Sequence, residues 1–126
     1  MQLEDTTEKI IGCAYRVYNN LGYGFLESVY EKSLLIELKK AGLKAEAQKP
    51  ITVYYEGEVV GEFVADIFVE ENIIVELKSV KQLVVAHEIQ LVNYLVATGI
   101  DVGLLLNFGE DKVEVKRKAR KLNNDF

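Results

Sequence analysis

The sequence holds one cysteine (Cys13), one proline (Pro50) and one histidine (His87). A lone cysteine excludes an intramolecular disulfide framework and a Cys-rich zinc site, and it agrees with a reducing cytoplasm. Cys13 sits among apolar neighbours at helical spacing and reads as a small packing residue rather than a nucleophile. No run of about eighteen apolar residues exists, which excludes a membrane-spanning helix, and no basic head precedes an apolar segment as in a signal peptide. An excess of positive charge is also missing. The formal net charge of −5 argues against a protein that coats nucleic acid through bulk charge. It leaves a nuclease open, because metal-binding carboxylates count towards that total and a bound cation reverses the field locally. Repeats, low-complexity tracts and linkers are absent.

The 126 residues fit a single domain spanning 1–126, and 49% hydrophobic content is enough for a packed core. Asp5 or Thr6 can cap a first helix, followed at helical spacing by Ile10, Ile11, Ala14, Val17, Tyr18 and Leu21. Gly22-Tyr23-Gly24 breaks it. A second helix is expected from about Leu26 to Ala41, stopped by Gly42. The texture then turns β-rich. Leu43 to Lys49 alternates weakly, Pro50 marks a break or a strand start, and strands are expected at Ile51–Tyr55, Val59–Val69 and Ile73–Lys78. Helical spacing returns from Leu83 to Ala97. The apolar run Val102–Phe108 reads as a buried strand, and Val113–Arg117 as a last short one. The order ααβββ(β)αβ(β) implies a mixed α/β fold, a sheet flanked by helices. Lys112, Lys116, Arg117, Lys118, Arg120 and Lys121 make segment 112–121 basic, either as a solvated edge or as a contact for phosphates.

Strand alternation puts Glu76 and Lys78 on one face. A three-residue connection, Glu70-Glu71-Asn72, with Asn72 in the left-handed conformation, pairs Val69 with Ile73. Stepping back along that ladder sets Asp66 opposite Glu76, whereas a loop one residue shorter or longer sends the two acids to opposite faces. Apolar residues line both faces of this hairpin: Phe63, Ala65, Ile67, Val69, Ile73, Val75 and Leu77 on one, Val64, Phe68 and Ile74 on the other. Two carboxylates facing each other in such surroundings require a shared proton or a cation. Mg²⁺ or Mn²⁺ suits oxygen ligands of this kind. The bland alternative is an Asp66–Lys78–Glu76 salt-bridge cluster on a solvated sheet.

Asp66 followed by Glu76-Leu77-Lys78 resembles the PD-(D/E)xK nuclease signature, with Ala65 at the position the name gives to proline. Gly24-Phe25-Leu26-Glu27-Ser28-Val29-Tyr30 reads as GxxExxY, a motif of small members of that superfamily, and Gln90-Leu91-Val92-Asn93-Tyr94 is similar to the QxxxY of exonuclease-type members. The resemblance implies a restriction-endonuclease-like fold. It also implies a nuclease cleaving DNA or RNA with Mg²⁺ or Mn²⁺ held by Asp66, Glu76, the Leu77 backbone carbonyl and Glu27, the last directly or through water. Lys78 joins Asp66, Glu76 and Glu27 as catalytic, and Gln90, Tyr94 and Tyr30 bind or orient the substrate. Read blandly, Glu27 only favours its helix N-terminus, Tyr94 is core, Gln90 is exposed, and His87 is structural. The rival function is a catalytically weak or inactive nuclease fold that binds nucleic acid or serves assembly. A phosphoesterase acting on small nucleotides lacks the expected glycine-rich loop after a strand. A minimal fold leaves specificity to a partner or to self-association, for instance a homodimer.

Overall fold

The computed structural model describes residues 2–120, so Lys121 of the basic segment lies outside the described residues. Helix α1 (Leu3–Leu21) buries Ile10, Cys13, Ala14 and Val17 along one stripe. It starts earlier than Asp5 or Thr6: Gln2 takes the N-cap position without a side-chain bond, and the Thr6 hydroxyl donates back to the Gln2 carbonyl at 3.2 Å. Helix α2 (Glu27–Lys40) buries Tyr30, Leu34 and Leu38, four residues apart on one face. Both helices cover one side of a sheet whose strands are β1 (Ala45–Tyr55), β2 (Glu58–Val69), β3 (Ile73–Lys78), β4 (Val102–Phe108) and β5 (Val113–Ala119). Helix α3 (Val85–Thr98) covers the other side, packing Leu91, Tyr94 and Leu95 against Phe68, Ile74 and Leu105. A Cβ on Gly103 would stand 2.7 Å from Leu91 Cδ1, so glycine there lets α3 sit close to β4.

The 5-stranded sheet runs β1-β2-β3-β4-β5, with only β3 and β4 parallel, joined by the α3 crossover. This is the expected restriction-endonuclease-like arrangement, with the same element order. Two expected strand pieces before Tyr55 are one strand. Pro50 interrupts nothing, because β1 is an edge strand and a missing N–H there breaks no ladder.

Two local expectations are corrected. In the β2–β3 turn the left-handed residues are Glu70 (φ 54°) and Glu71 (φ 59°), not Asn72, whose N–H closes the turn on the Val69 carbonyl at 3.1 Å. The register survives because the length is right: Val69 pairs with Ile73, Phe68 with Ile74 and Ile67 with Val75. The hairpin faces also do not stay constant. Ile67 and Val69 pack beneath α1 and α2, whereas Ala65 packs with the α3-side core. Between them Gln48 has φ 55°, and the β1–β2 ladder skips the Gln48–Asp66 step. The ribbon therefore rotates at Asp66, leaving Phe63 and Val64 about half exposed rather than covered.

Candidate metal centre

The β2–β3 ladder ends at Ile67 and Val75, although both strands continue. From there β2 stays with β1, and β3 stays with β4. Asp66 and Glu76 stand at the fork. The Asp66 N–H donates to Glu76 Oε2 at 2.8 Å, and the Leu77 N–H donates to Asp66 Oδ2 at 2.7 Å. Side-chain carboxylates thus replace the main-chain acceptors that a continued ladder would have supplied. Each acid engages one amide through one of its two oxygens.

Glu76 is only 6% exposed, and Asp66 is half-buried. Burial pushes the Glu76 carboxyl up to about 8, with the Asp66 charge adding to the rise and the Asp66 N–H and Lys78 opposing it. Burial likewise raises Asp66, against the Leu77 N–H and Lys78. Among the described residues no lysine or arginine comes within ion-pair distance of either acid, so the bland salt-bridge cluster does not form. Two acids and one half-buried lysine leave the fork short of positive charge. Carboxylate oxygens in that state fit a hard divalent cation.

Other expected residues divide. The Ser79 hydroxyl donates to the Phe25 carbonyl at 3.0 Å, tying the end of β3 to the turn that starts α2. Glu27 is exposed at that turn and its charge raises the Glu76 carboxyl. It does not close a three-group cluster with Asp66 and Glu76, and no such cluster exists among the described residues. Tyr94 is nearly buried; its phenol is raised by burial and then by the Glu76 and Asp66 charges. Gln90 is exposed one turn earlier on α3. Tyr30 does not reach the fork. It is fully buried, stacks on Phe108 with centroids 4.4 Å apart, and donates its hydroxyl to the Gly22 carbonyl at 2.5 Å. A side chain so enclosed cannot touch a substrate; it holds the α1–α2 turn. His87 is structural, its Nδ1 accepting the Val84 N–H at 3.3 Å.

The sequence profile of the PD-(D/E)XK nuclease superfamily matches residues 4–118. The chain belongs to the PD-(D/E)XK nuclease superfamily. The solved structure titled "Crystal structure of SSO0001" shares its fold, with a TM-score of 0.60 and 20% identity over 78% of this chain. The chain spans 52% of that protein's length. No curated protein matches the sequence.

Within this superfamily member, two further residues bear on the site and have no place in the short motifs. Glu31 lies one turn after Glu27 on the same helix face. Burial and the Asp66 charge raise its carboxyl, and it accepts the Gln48 amide at 2.7 Å. The i,i+4 spacing was the available signal. Asn107 is fully buried beside Lys78 in the β3–β4 register. Its side chain accepts the Val80 N–H at 2.9 Å and donates to the Val80 carbonyl and to Glu114 Oε1, both at 2.8 Å. It clamps the loop that leaves the lysine strand, and nothing in a single sequence distinguishes it from any other polar interruption of an apolar run.

Proposed function

We propose that this protein is a Mg²⁺- or Mn²⁺-dependent nuclease that hydrolyses phosphodiester bonds in DNA or RNA. The observation that carries the reading is the pair of carboxylates at the β2–β3 fork, both raised by burial and Glu76 further by the Asp66 charge, with Lys78 two residues beyond Glu76. Asp66, Glu76 and the Leu77 carbonyl would hold the cation, with Glu27 reaching it directly or through water. When bound, such an ion would supply Lewis-acid chemistry, polarising a phosphoryl oxygen and making a bound water more acidic. Lys78 orients the attacking water and balances charge on the five-coordinate phosphorus. Tyr94, kept protonated beside the acids, donates to a phosphate oxygen, and Gln90 orients the strand. Gly24 to Tyr30 carries the GxxExxY pattern, in which Glu27 serves the site and Tyr30 the turn.

The test is cleavage of labelled DNA and RNA with added Mg²⁺ or Mn²⁺. Activity should vanish with a chelator and in Asp66→Ala and Lys78→Ala; cleavage that survives both substitutions overturns the assignment. A second reading rests on the same pair. Each acid already accepts one backbone amide, as suits a weak or inactive nuclease fold that binds nucleic acid or serves assembly with a partner or a second copy. In that case oligonucleotide affinity is indifferent to Mg²⁺ and no product forms.

A further inference from the structure

A groove of about 590 Å³ opens between α3 and the β1–β2 ribbon, and one of its walls is Tyr94, whose phenol feels the charges of both fork acids. Val53 and Phe63 line it from the ribbon, and Ile89, Gln90, Asn93 and Tyr94 from the helix. Its volume lies in the usual range for pockets that hold a small organic group, about 300–1,000 Å³. Two features restrict the occupant. No charged side chain lines the groove among the described residues, so its floor suits a neutral group and not a phosphate. Phe63 is 47% exposed, and its ring centroid lies 5.7 Å from that of Tyr94 at 41°. Phe63, backed by the buried Tyr94 ring, offers a stacking surface, and the exposed residues Gln90 and Asn93, which line the same groove, have both donors and acceptors to offer.

Tyr94 is the wall shared by the groove and the acids. Phe63 precedes Asp66 by three residues on β2, and the ribbon's rotation at Asp66 is what turns this stretch towards α3. A polymer lying with one phosphate at the fork would therefore bring its neighbouring neutral, planar group to the groove. In nucleic acid that group is the base. Within a duplex both faces of a base are covered by its neighbours, so only an unpaired nucleotide can offer one to Phe63.

We infer that the Phe63–Tyr94 groove is a nucleobase-binding site, which makes the substrate of this protein a single-stranded or locally unpaired nucleic acid. The site rests on the nuclease reading for its placement beside a phosphate, but its occupancy is measurable without cleavage. The chain contains no tryptophan, so Phe63→Trp introduces a single indole whose fluorescence a stacked base quenches. The probe is a short single-stranded oligonucleotide titrated in chelator, with the matched duplex as competitor. The single strand should quench the indole, saturably and in parallel with anisotropy of the labelled strand, and the duplex should not.

In a second measurement, Phe63→Ala and Ile89→Glu should weaken single-strand binding on the order of tenfold, the worth of one stacked base, with duplex binding unchanged. Single-strand binding that leaves the indole unquenched overturns the proposal, as does equal quenching by the duplex. Absence of oligonucleotide binding overturns it too. If Phe63→Ala then also converts a dimer to a monomer in sedimentation, the groove belongs to a second copy of the chain. Quenching without any metal-dependent cleavage would retain the base site and remove the enzymatic reading, so the two failures are distinct.

Discussion

Glu76 accepts the main-chain N–H of Asp66, and its carboxyl is held near 8 by burial and by the charge of the Asp66 side chain. In the unfolded chain the same group titrates near 4.5. Between those values the folded protein binds more protons than the unfolded one, so stability must fall as pH rises. The loss is complete above about 8 and amounts to at most about 5 kcal/mol for the metal-free protein. Asp66, also raised, contributes with the same sign. Melting curves in chelator from pH 5 to 9 should show Tm declining towards the alkaline end, and Glu76→Gln should flatten the decline. Added Mn²⁺ should raise Tm most at alkaline pH, where it no longer competes with a proton. A wild-type profile as flat as that of the variant would remove the carboxylate coupling.

Glu27 differs from the fork acids in exposure and Glu31 in its hydrogen-bond partner, and both differ in expected effect. Glu27 is exposed, and Glu31 is tied to Gln48 while sensing Asp66. If they act on the cation through water, Glu27→Gln and Glu31→Gln should each weaken Mn²⁺ binding about tenfold, against near-complete loss for Asp66→Ala. Calorimetric titration of Mn²⁺ into each variant measures this. Wild-type affinity in both would confine the metal site to β2 and β3.

Tyr30 and Tyr94 belong to motifs of similar standing but sit in different surroundings. Tyr30→Phe retains the stack on Phe108 and loses the hydroxyl that satisfies the Gly22 carbonyl and accepts the Phe25 N–H. It should cost about 1–2 kcal/mol of stability and leave turnover per folded molecule unchanged. Tyr94→Phe should do the reverse, lowering kcat with little change in Tm. Denaturant unfolding paired with cleavage rates separates them, and a kcat loss in Tyr30→Phe at full folding would return that residue to the site.

The acids were legible because two local rules sufficed. A period of two along each strand and a connection of the right length set Asp66 against Glu76, even though the left-handed conformation fell on Glu70 and Glu71 rather than Asn72. What escaped needed three-dimensional context. The rotation at Gln48 and Asp66 depends on one residue with positive φ opposite a skipped pair, and Gln carries no special preference for that conformation. Tyr30 is drawn inwards by Phe108, which lies 78 residues later in the chain. The family motif marks the tyrosine without distinguishing a substrate contact from a turn support.

Asn107 is a buried polar side chain whose hydrogen bonds run to the loop after Lys78 and to β5. Asn107→Ala leaves the Val80 N–H and carbonyl without their partner and should cost about 1–3 kcal/mol. Asn107→Asp should cost more, because it sets a second carboxylate against Glu114 Oε1 and the Val80 carbonyl. Hydrogen exchange should show faster opening of the Ser79–Val80 segment in both variants, with kcat reduced more than KM raised. Unchanged exchange there would mean that the loop is held from elsewhere.

Glu76 pairs with Leu105, and Leu105 pairs with Lys116, so the two side chains lie in one row on the α3 face of the sheet. Two strand spacings separate them, about 10 Å, close enough for neighbouring phosphates of one strand. Lys116 is exposed, Lys118 on the same face is bound to Glu88 at 2.5 Å, and Arg117 points to the opposite face. Lys116→Ala should therefore reduce the slope of log affinity against log salt by about 0.7–0.9, the release of roughly one counterion. Lys118→Ala should reduce it less, because its charge is already paired, and Arg117→Ala should leave it unchanged. Anisotropy of a labelled oligonucleotide in chelator across a salt series gives the slopes. A loss in Arg117→Ala equal to that in Lys116→Ala would mean that the segment acts as a diffuse positive edge and not through the row that faces the acids.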